Sequence, residues 1–340
     1  TIDNNQTHSS IENTVEHTTL SSIVRARLAR LNTLVKLYGA ITPHIYQWRL
    51  RNHKDYLFHS PNYFLPNFEG QTIATVHDLS TVMYPNFHPE ARVRFMNSEL
   101  PKTINRADHL ITDSEYIRNQ IIEYFSVAPS RVTAIPLGVD IRYHPRRHEE
   151  TENILAKYGL THGSYCLCVA TIEPRKNIEK LIEAHQSLPD LLKEKYPLVL
   201  IGSAGWNSEH IHKKIKSLIG PSLFYLQYIP QVHLYSVYSG AILFTFLSIY
   251  EGFGLPVLEA MASGIPCLIS EGTCLPEVAG DAALKVNPLD VDAIREKIAQ
   301  ALHDEKWRTK AATAGLKRSA EYSWDRCYIQ TRKLYEKYAT

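Results

Sequence analysis

From Gln71 onward, short apolar runs rich in β-branched residues alternate with amphipathic stretches, and this alternation constrains the fold more than any other feature of the sequence. It predicts parallel βα units rather than a sandwich, because a strand followed by a helix returns to pair with a parallel neighbour. Strands are expected at residues 72–76, 108–112 and 132–136, and again at 165–170, 197–202, 241–246 and 265–270. With 340 residues against about 100–200 for an ordinary domain, the two groups suggest two α/β domains. Residues 141–152, with Pro145, Arg146, Arg147, His148, Glu149 and Glu150, lack apolar periodicity and suit an interdomain linker. The expected division is an N-terminal domain of residues 1–150 and a C-terminal domain of residues 151–322. After Pro288 the sequence reads as helix. Trp324, Tyr328, Leu334 and Tyr338 mark a last amphipathic helix within residues 323–340 that could cross back onto the first domain.

Composition narrows the function classes. At 44% hydrophobic and 21% charged, the chain has apolar side chains for two cores and is neither fibrous nor mainly disordered. A formal net charge of +2 provides no broad basic face, so no nucleic-acid partner is expected. No stretch reaches the roughly 18 uninterrupted apolar residues of a membrane span, and residues 236–250 are broken by Ser, Tyr and Thr. Cys166, Cys168 and Cys267 lie inside expected strands, where free thiols act as small hydrophobes, and a reducing, cytoplasmic setting is expected. Cys166 and Cys168 have no second ligand pair with which to hold zinc. Residues 1–10 are polar and begin without Met. They fit no secretory leader and leave room for an earlier segment, including a first strand, outside this numbering.

Polar and glycine-bearing clusters fall immediately after the expected strands. In the first half these are His77-Asp78, Asp113-Ser114 and Gly138-Val139-Asp140. In the second they are Glu173-Pro174-Arg175-Lys176-Asn177, Ser203-Ala204-Gly205, Glu251 and Glu271-Gly272-Thr273. Open parallel sheets bind ligands beyond the carboxyl ends of their strands, so both domains are expected to direct their chemistry into a cleft between them.

The most informative cluster begins at Glu251. Gly252 and Gly254 bracket Phe253 ahead of Leu255 and Pro256, and Gly264 can stop a short helix over residues 256–263. The N-terminus of such a helix has unpaired N–H groups, and glycines without Cβ let the backbone approach an anion such as a diphosphate. The same loop also serves as a plain structural turn. Glu251 and Glu259 supply carboxylates on either side of it, each able to accept two hydrogen bonds from a vicinal diol.

The full run Glu251-Gly252-Phe253-Gly254-Leu255-Pro256-Val257-Leu258-Glu259 resembles the Glu-x7-Glu signature of retaining glycosyltransferases of family 4. His77-Asp78, Ile135-Pro136-Leu137-Gly138-Val139-Asp140, Glu173-Pro174-Arg175-Lys176-Asn177 and Leu275-Pro276-Glu277 extend the resemblance from about Thr72 to Tyr328, with a leaning toward bacterial polysaccharide mannosyltransferases of the O-antigen type. The resemblance implies the α/β GT-B fold: two facing Rossmann-like domains with parallel sheets and a helical C-terminal segment. It implies that Glu251 contacts donor-sugar hydroxyls, helped by N–H groups around Phe253, Gly254 and Leu255, and that Glu259 takes the ribose hydroxyls. Arg175 and Lys176 would bind the diphosphate, with Thr273 offering a hydroxyl or N–H nearby. His77 would meet the donor sugar from across the cleft, which makes His77 and Glu251 the candidate catalytic residues. Asp78 would either orient His77 or cap the following turn. Where many members of the family have Gly-Arg, this chain has Ala170-Thr171, which puts more of the phosphate binding on Arg175 and Lys176.

The resemblance further implies retention of anomeric configuration by front-face substitution, since no carboxylate is evidently placed as a covalent nucleophile. No Asp-x-Asp triplet follows a first-domain strand, so no metal is expected, and no permanently bound cofactor. The co-substrate would be a nucleotide-diphosphate sugar, GDP-mannose ahead of UDP-glucose or another hexose donor, and the acceptor a growing, lipid-diphosphate-linked glycan. Residues 20–54 contain Arg25, Arg27, Arg30, Lys36, Arg49, Arg51 and Lys54 and no acid. Val24, Leu28, Leu31, Val35 and Tyr38 recur there at helical spacing, which suits either a solvated surface helix or peripheral docking on the anionic inner face of the cell membrane. The same architecture also carries sugar-nucleotide epimerases and phosphorylases, and an inactive nucleotide-sugar-binding subunit is a non-enzymatic alternative. The presence of His77, Lys176, Glu251 and Glu259 together argues against inactivity.

Overall fold

The computed structural model describes residues 48–338. Arg25, Arg27, Arg30, Lys36 and the apolar positions from Val24 to Tyr38 lie outside the described residues. Residues 48–54 and 66–69 belong to one compact unit, and residues 55–65 and 70–338 to another. In the first, residues 48–50 are helical and the Arg51 guanidinium lies 5.4 Å from the Trp48 ring. The second contains both sheets.

Strands β1 (Phe58–Ser60), β2 (Thr72–Thr75), β3 (His109–Thr112) and β4 (Val132–Ala134) form a parallel sheet in the order β1-β2-β3-β4. Strands β5 (Cys166–Val169), β6 (Leu198–Ile201), β7 (Leu223–Tyr225), β8 (Leu243–Phe246), β9 (Cys267–Ser270) and β10 (Ala283–Val286) form a second, in the order β10-β9-β8-β5-β6-β7, with every pair parallel. Every expected strand is present. β1, β7 and β10 were not anticipated: two are only three residues long, and β10 carries Lys285 in a partly exposed edge position.

Near-continuous apolar runs are what a sheet covered on both faces requires. In β5, Leu167 enters one core with Val199, Phe244 and Ile269, while Cys166 and Cys168 point into the opposite core with Leu198, Leu200 and Leu243. Burial pushes both of these thiols up to about 12, so they are packing groups.

The expected linker is shorter than residues 141–152. His148–Ala156 is a helix with Thr151 and Leu155 buried, and the Glu150 carboxylate accepts the Arg147 N–H at its start (2.9 Å). The charge run concealed this short apolar face. Past Pro288 three helices follow, Val291–His303, Glu305–Ser319 and Trp324–Tyr338. The last packs on the first sheet: Leu334 joins Ile73, Ile111 and Ile135, and the hydroxyls of Tyr335 and Tyr338 meet Nδ1 of His59 and His109 at 2.5 and 2.9 Å. No helix among the described residues is long and apolar enough to cross a membrane.

The order of the second sheet fixes where chemistry can assemble. From β5 the chain proceeds outward through β6 to β7, and from β8 it proceeds the other way through β9 to β10. β5 and β8 are neighbours, so the loops leaving their carboxyl ends diverge and open a crevice at the topological switch point.

Candidate active site

Both loops at that crevice carry charge. After β5 the turn Pro174–Lys176 is a tight 3-10 segment, closed by Asn177 in the left-handed region at φ 57°. After β8 comes Glu251, which is only 7% exposed. Arg175 donates to Glu251 (3.1 Å), to Glu173 (2.9 Å) and to the Tyr250 carbonyl (2.7 Å). Lys176 Nζ donates to the other Glu251 oxygen at 2.5 Å and lies 5.1 Å from the Phe246 ring. Burial alone would raise the pKa of Glu251, but the charges of Lys176 and Arg175 overcome it and hold the carboxyl at about 2. Glu251 is therefore ionised, and each oxygen keeps a lone pair for a ligand hydroxyl.

His77 lies in the loop after β2, whose main chain packs against Gly252, the residue after Glu251. Its Nδ1 meets Asp113 at 2.8 Å and its Nε2 meets the Pro61 carbonyl at 2.9 Å. Both nitrogens thus face acceptors, which favours the doubly protonated ring. The Asp113 hydrogen bond is the main cause of a raised His77 pKa, with burial opposing it. The orienting carboxylate is Asp113 rather than Asp78, whose Oδ1 instead accepts the Ser80 N–H at 2.8 Å and caps the turn. Adjacency in sequence pointed to Asp78, but the parallel register of β2 and β3 brings the residue after β3 beside His77.

Gly252 and Gly254 were expected to leave room for an anion. The structure fills that room with protein. A Cβ on Gly252 would lie 2.0 Å from the His77 carbonyl, and one on Gly254, at φ 99°, would lie 2.3 Å from the Leu275 side chain. These glycines therefore let the first-half loop and the Leu275–Ala279 helix close onto the Glu251 loop. Three further side chains, Ser114, Tyr250 and Glu277, join the halves. Ser114 Oγ donates to the Gly252 carbonyl (2.7 Å), and the Tyr250 hydroxyl accepts the Leu79 N–H (3.1 Å) while donating to Gln120 (2.5 Å). The Glu277 carboxylate accepts the N–H groups of Glu115 and Tyr116 at 2.8 and 2.9 Å, capping the helix Glu115–Phe125.

The other residues of the motif have separate settings. Phe253 packs with Leu258 and Val278, its ring edge-on to Tyr322, while Leu255 is the first residue of the helix Leu255–Ala262 and Pro256 the second. Glu259 lies one turn along, bonded by the Tyr238 hydroxyl at 2.8 Å. Burial raises its pKa to about 7, outweighing hydrogen bonds from Tyr238 and Tyr143 that pull it down, and Asp140 adds to the rise. The Thr273 hydroxyl accepts the Leu275 N–H at 3.1 Å, so it is already engaged in its own turn. Arg175, Lys176 and Glu251 are thus brought to one place, the His77 main chain meets the same loop at Gly252, and Glu259 and Thr273 lie on adjoining elements. Sequence reasoning assigned no role to Asp113, Ser114, Tyr143 or Tyr238. The only signal for the first two was their place after β3.

Two Rossmann-like halves with parallel sheets, a charged crevice at the switch point of the second and a C-terminal helix packed on the first define the GT-B class of glycosyltransferases. Comparisons with known proteins agree. The family described as "Glycosyl transferases group 1" matches residues 150–318, and "Glycosyltransferase Family 4" matches residues 16–143. O-antigen chain mannosyltransferase B of Escherichia coli is 38% identical over 312 residues, covering 92% of this chain and 82% of that protein. The serotype-specific mannosyltransferase WbdA of Escherichia coli is 33% identical over 268 residues, covering 76% of this chain but 32% of that longer protein. The solved structure of WaaG, a glycosyltransferase involved in lipopolysaccharide biosynthesis, superposes with a TM-score of 0.68 at 17% identity, over 86% of this chain and 80% of that one. The chain belongs to glycosyltransferase family 4.

Proposed function

We propose that this enzyme transfers a mannosyl group from GDP-mannose to a growing glycan carried on a lipid diphosphate, with retention of configuration and without a divalent metal. The observation that carries the reading is the ionised Glu251 held between Arg175 and Lys176 at the switch point, with the His77–Asp113 pair on the loop whose main chain packs against Gly252. The choice of mannose is supported by the names of two relatives, O-antigen chain mannosyltransferase B and serotype-specific mannosyltransferase WbdA.

In this reading the free lone pairs of Glu251 accept hydroxyls of the donor hexose. Lys176 has three N–H donors and commits one to Glu251, leaving two for the diphosphate. Arg175, bound to two carboxylates and a carbonyl, chiefly holds Glu251 in place and adds positive potential. The first N–H groups of the helix Leu255–Ala262, around Gly254 and Leu255, face the same anion, and Glu259 takes the ribose hydroxyls. Thr273 contributes by shaping its loop. His77, oriented by Asp113, hydrogen-bonds the hexose when its ring exchanges the Pro61 carbonyl for a sugar oxygen. The acceptor oxygen forms a bond to the anomeric carbon as the bond to the diphosphate oxygen breaks. The departing diphosphate keeps the electron pair and takes the acceptor's proton, and its growing charge is what Lys176 and Arg175 stabilise. The enzyme would work in the cytoplasm, at the inner face of the membrane where a lipid-linked acceptor resides, with the basic segment of residues 20–54 as its contact.

The test is incubation with GDP-mannose, UDP-glucose and related donors in excess EDTA, with a mannose-terminated oligosaccharide as acceptor. Mannosyl transfer from GDP-mannose with an α-linked product is expected. Transfer from another donor, an inverted product, or activity lost on chelation and restored by Mg²⁺ or Mn²⁺ would overturn the corresponding part of the reading.

A further inference from the structure

One expected polar cluster, the Ser203-Ala204-Gly205 loop after β6, has no part in the site above. The next residue, Trp206, reaches toward the first half of the protein. Its indole ring lies 5.5 Å from the ring of His88, at the end of the turn Pro85–Phe87. Trp206 Nε1 and both ring nitrogens of His88 are buried without a hydrogen-bond partner, and His88 is 5% exposed. The Ser80 main chain comes near the imidazole but closes no hydrogen bond with it. Buried polar atoms are normally satisfied, so three orphans on two facing rings indicate a missing partner.

The chemistry of that partner follows from the atoms. Burial, with the charges of Arg92 and Arg175, lowers the His88 pKa to about 4, so one ring nitrogen donates and the other accepts. The indole N–H only donates. An anion has no proton for the accepting nitrogen, and a cation has no lone pair for the indole. A hydroxyl group has both, whether of a sugar or of a water that a sugar hydroxyl displaces. One hydroxyl oxygen can accept the indole N–H and donate to the unprotonated His88 nitrogen, and a second would satisfy the remaining His88 N–H. The Arg92 guanidinium sits 4.7 Å from the Trp206 ring and covers that face, so the pair offers hydrogen-bonding edges rather than a stacking platform. The Trp206 loop runs beside the β5 turn, since the Gly205 N–H donates to the Ile172 carbonyl (2.9 Å) and the adjacent Glu173 bonds Arg175, which touches Glu251; this places the pair at the border of the donor crevice.

We propose that His88 and Trp206 form a saccharide subsite that recognises hexose hydroxyls between the two halves of the enzyme. The proposal rests on the mannosyltransferase reading. The hydroxyls belong either to the donor hexose or to the terminal hexose of the acceptor.

The experiment compares Trp206→Phe, which keeps the ring and removes the N–H, with His88→Gln. GDP-mannose hydrolysis without acceptor, transfer to methyl α-mannoside, GDP affinity and melting temperature are measured for each. Loss of a neutral hydrogen bond should raise the relevant saccharide KM by about tenfold, with GDP affinity unchanged. A rise in donor KM during hydrolysis assigns the subsite to the donor hexose, and a rise confined to the mannoside KM assigns it to the acceptor. Unchanged KM values in both variants, or a fall in melting temperature as the only effect, would overturn the subsite and leave the pair a packing contact. Should Trp206→Phe fail to fold, His88→Gln carries the same readouts. A wild-type protein inactive with GDP-mannose tells against the mannosyl reading instead, and the variants are then compared with whichever nucleotide hexose it hydrolyses.

Discussion

Glu251 and Glu259 belong to one motif, yet the loop and the helix that carry them impose opposite electrostatics. In the loop, two cations from the β5 turn surround the carboxylate and hold it at about 2. On the helix, burial beside tyrosines lifts its counterpart to about 7. Neutral donors offset desolvation only in part, whereas full charges within hydrogen-bonding distance overcome it. The two positions are thus suited to different work: a permanently charged group beside the hexose, and a group whose charge at neutral pH depends on what binds.

The strongest way to break this contrast is to neutralise the charged member. Glu251→Gln should lower turnover by about 10²–10³-fold, the range for losing a preorganised electrostatic contact, while GDP affinity changes little. Near-normal turnover would reduce Glu251 to a counter-ion for Lys176. A second test asks whether His77 and Glu251 act on one sugar. The double variant His77→Ala with Glu251→Ala should be little worse than the more damaged single variant, and fully additive rate losses would separate the two residues.

Smaller effects sharpen the other side. Glu259→Gln should weaken GDP binding by about 1–3 kcal/mol and flatten its pH dependence. In the wild type, affinity should rise from pH 6 to pH 8 as the carboxyl ionises. The nucleotide's own phosphate titrates in the same direction, so the difference between the two proteins is the measurement, and parallel curves would remove Glu259 from the ribose site. The ligand-free protein gives an independent sign. The folded pKa of Glu259 is raised above its ordinary 4.5, so its favourable contribution is present below about pH 4.5 and declines as pH rises through about 7. Glu251, depressed, contributes above about pH 4.5 and loses that contribution as pH falls toward 2. Glu277→Gln should have the smallest effect. Weakening the cap on Glu115 and Tyr116 loosens the loop that carries Asp113, lowering kcat by about threefold to tenfold for roughly 1 kcal/mol. Its kcat–pH profile should shift with His77, and a change in melting temperature without that shift would make Glu277 only a structural cap.

The sequence revealed periodicity and local order. β2, β3, β5, β6, β8 and β9 are buried apolar runs, and the short helix after Glu251 is bounded by Gly254 and Gly264, so these could be read directly. The edge strands β1, β7 and β10 could not, because short half-exposed segments carry little pattern. Within the site, the residue types of His77, Arg175, Lys176 and Glu251 were legible, but their partners were not. Asp113 reaches His77 through sheet register, and the reason for Gly252 lies in a carbonyl from the other half of the chain. The opposite pKa shifts of Glu251 and Glu259 likewise depend on burial and on side chains from other elements.

The seating of Leu334 against Ile73, Ile111 and Ile135 has a consequence for synthesis. The first sheet is translated early, but the helix that covers this face comes roughly 200 residues later, a delay of about 10–40 s at ordinary ribosomal speeds. During that interval the sheet's isoleucines have no native cover, and nascent chains should be most vulnerable to aggregation, or most dependent on a chaperone, while the second half is still being made. The helix Trp324–Tyr338 therefore completes the half that was translated earlier.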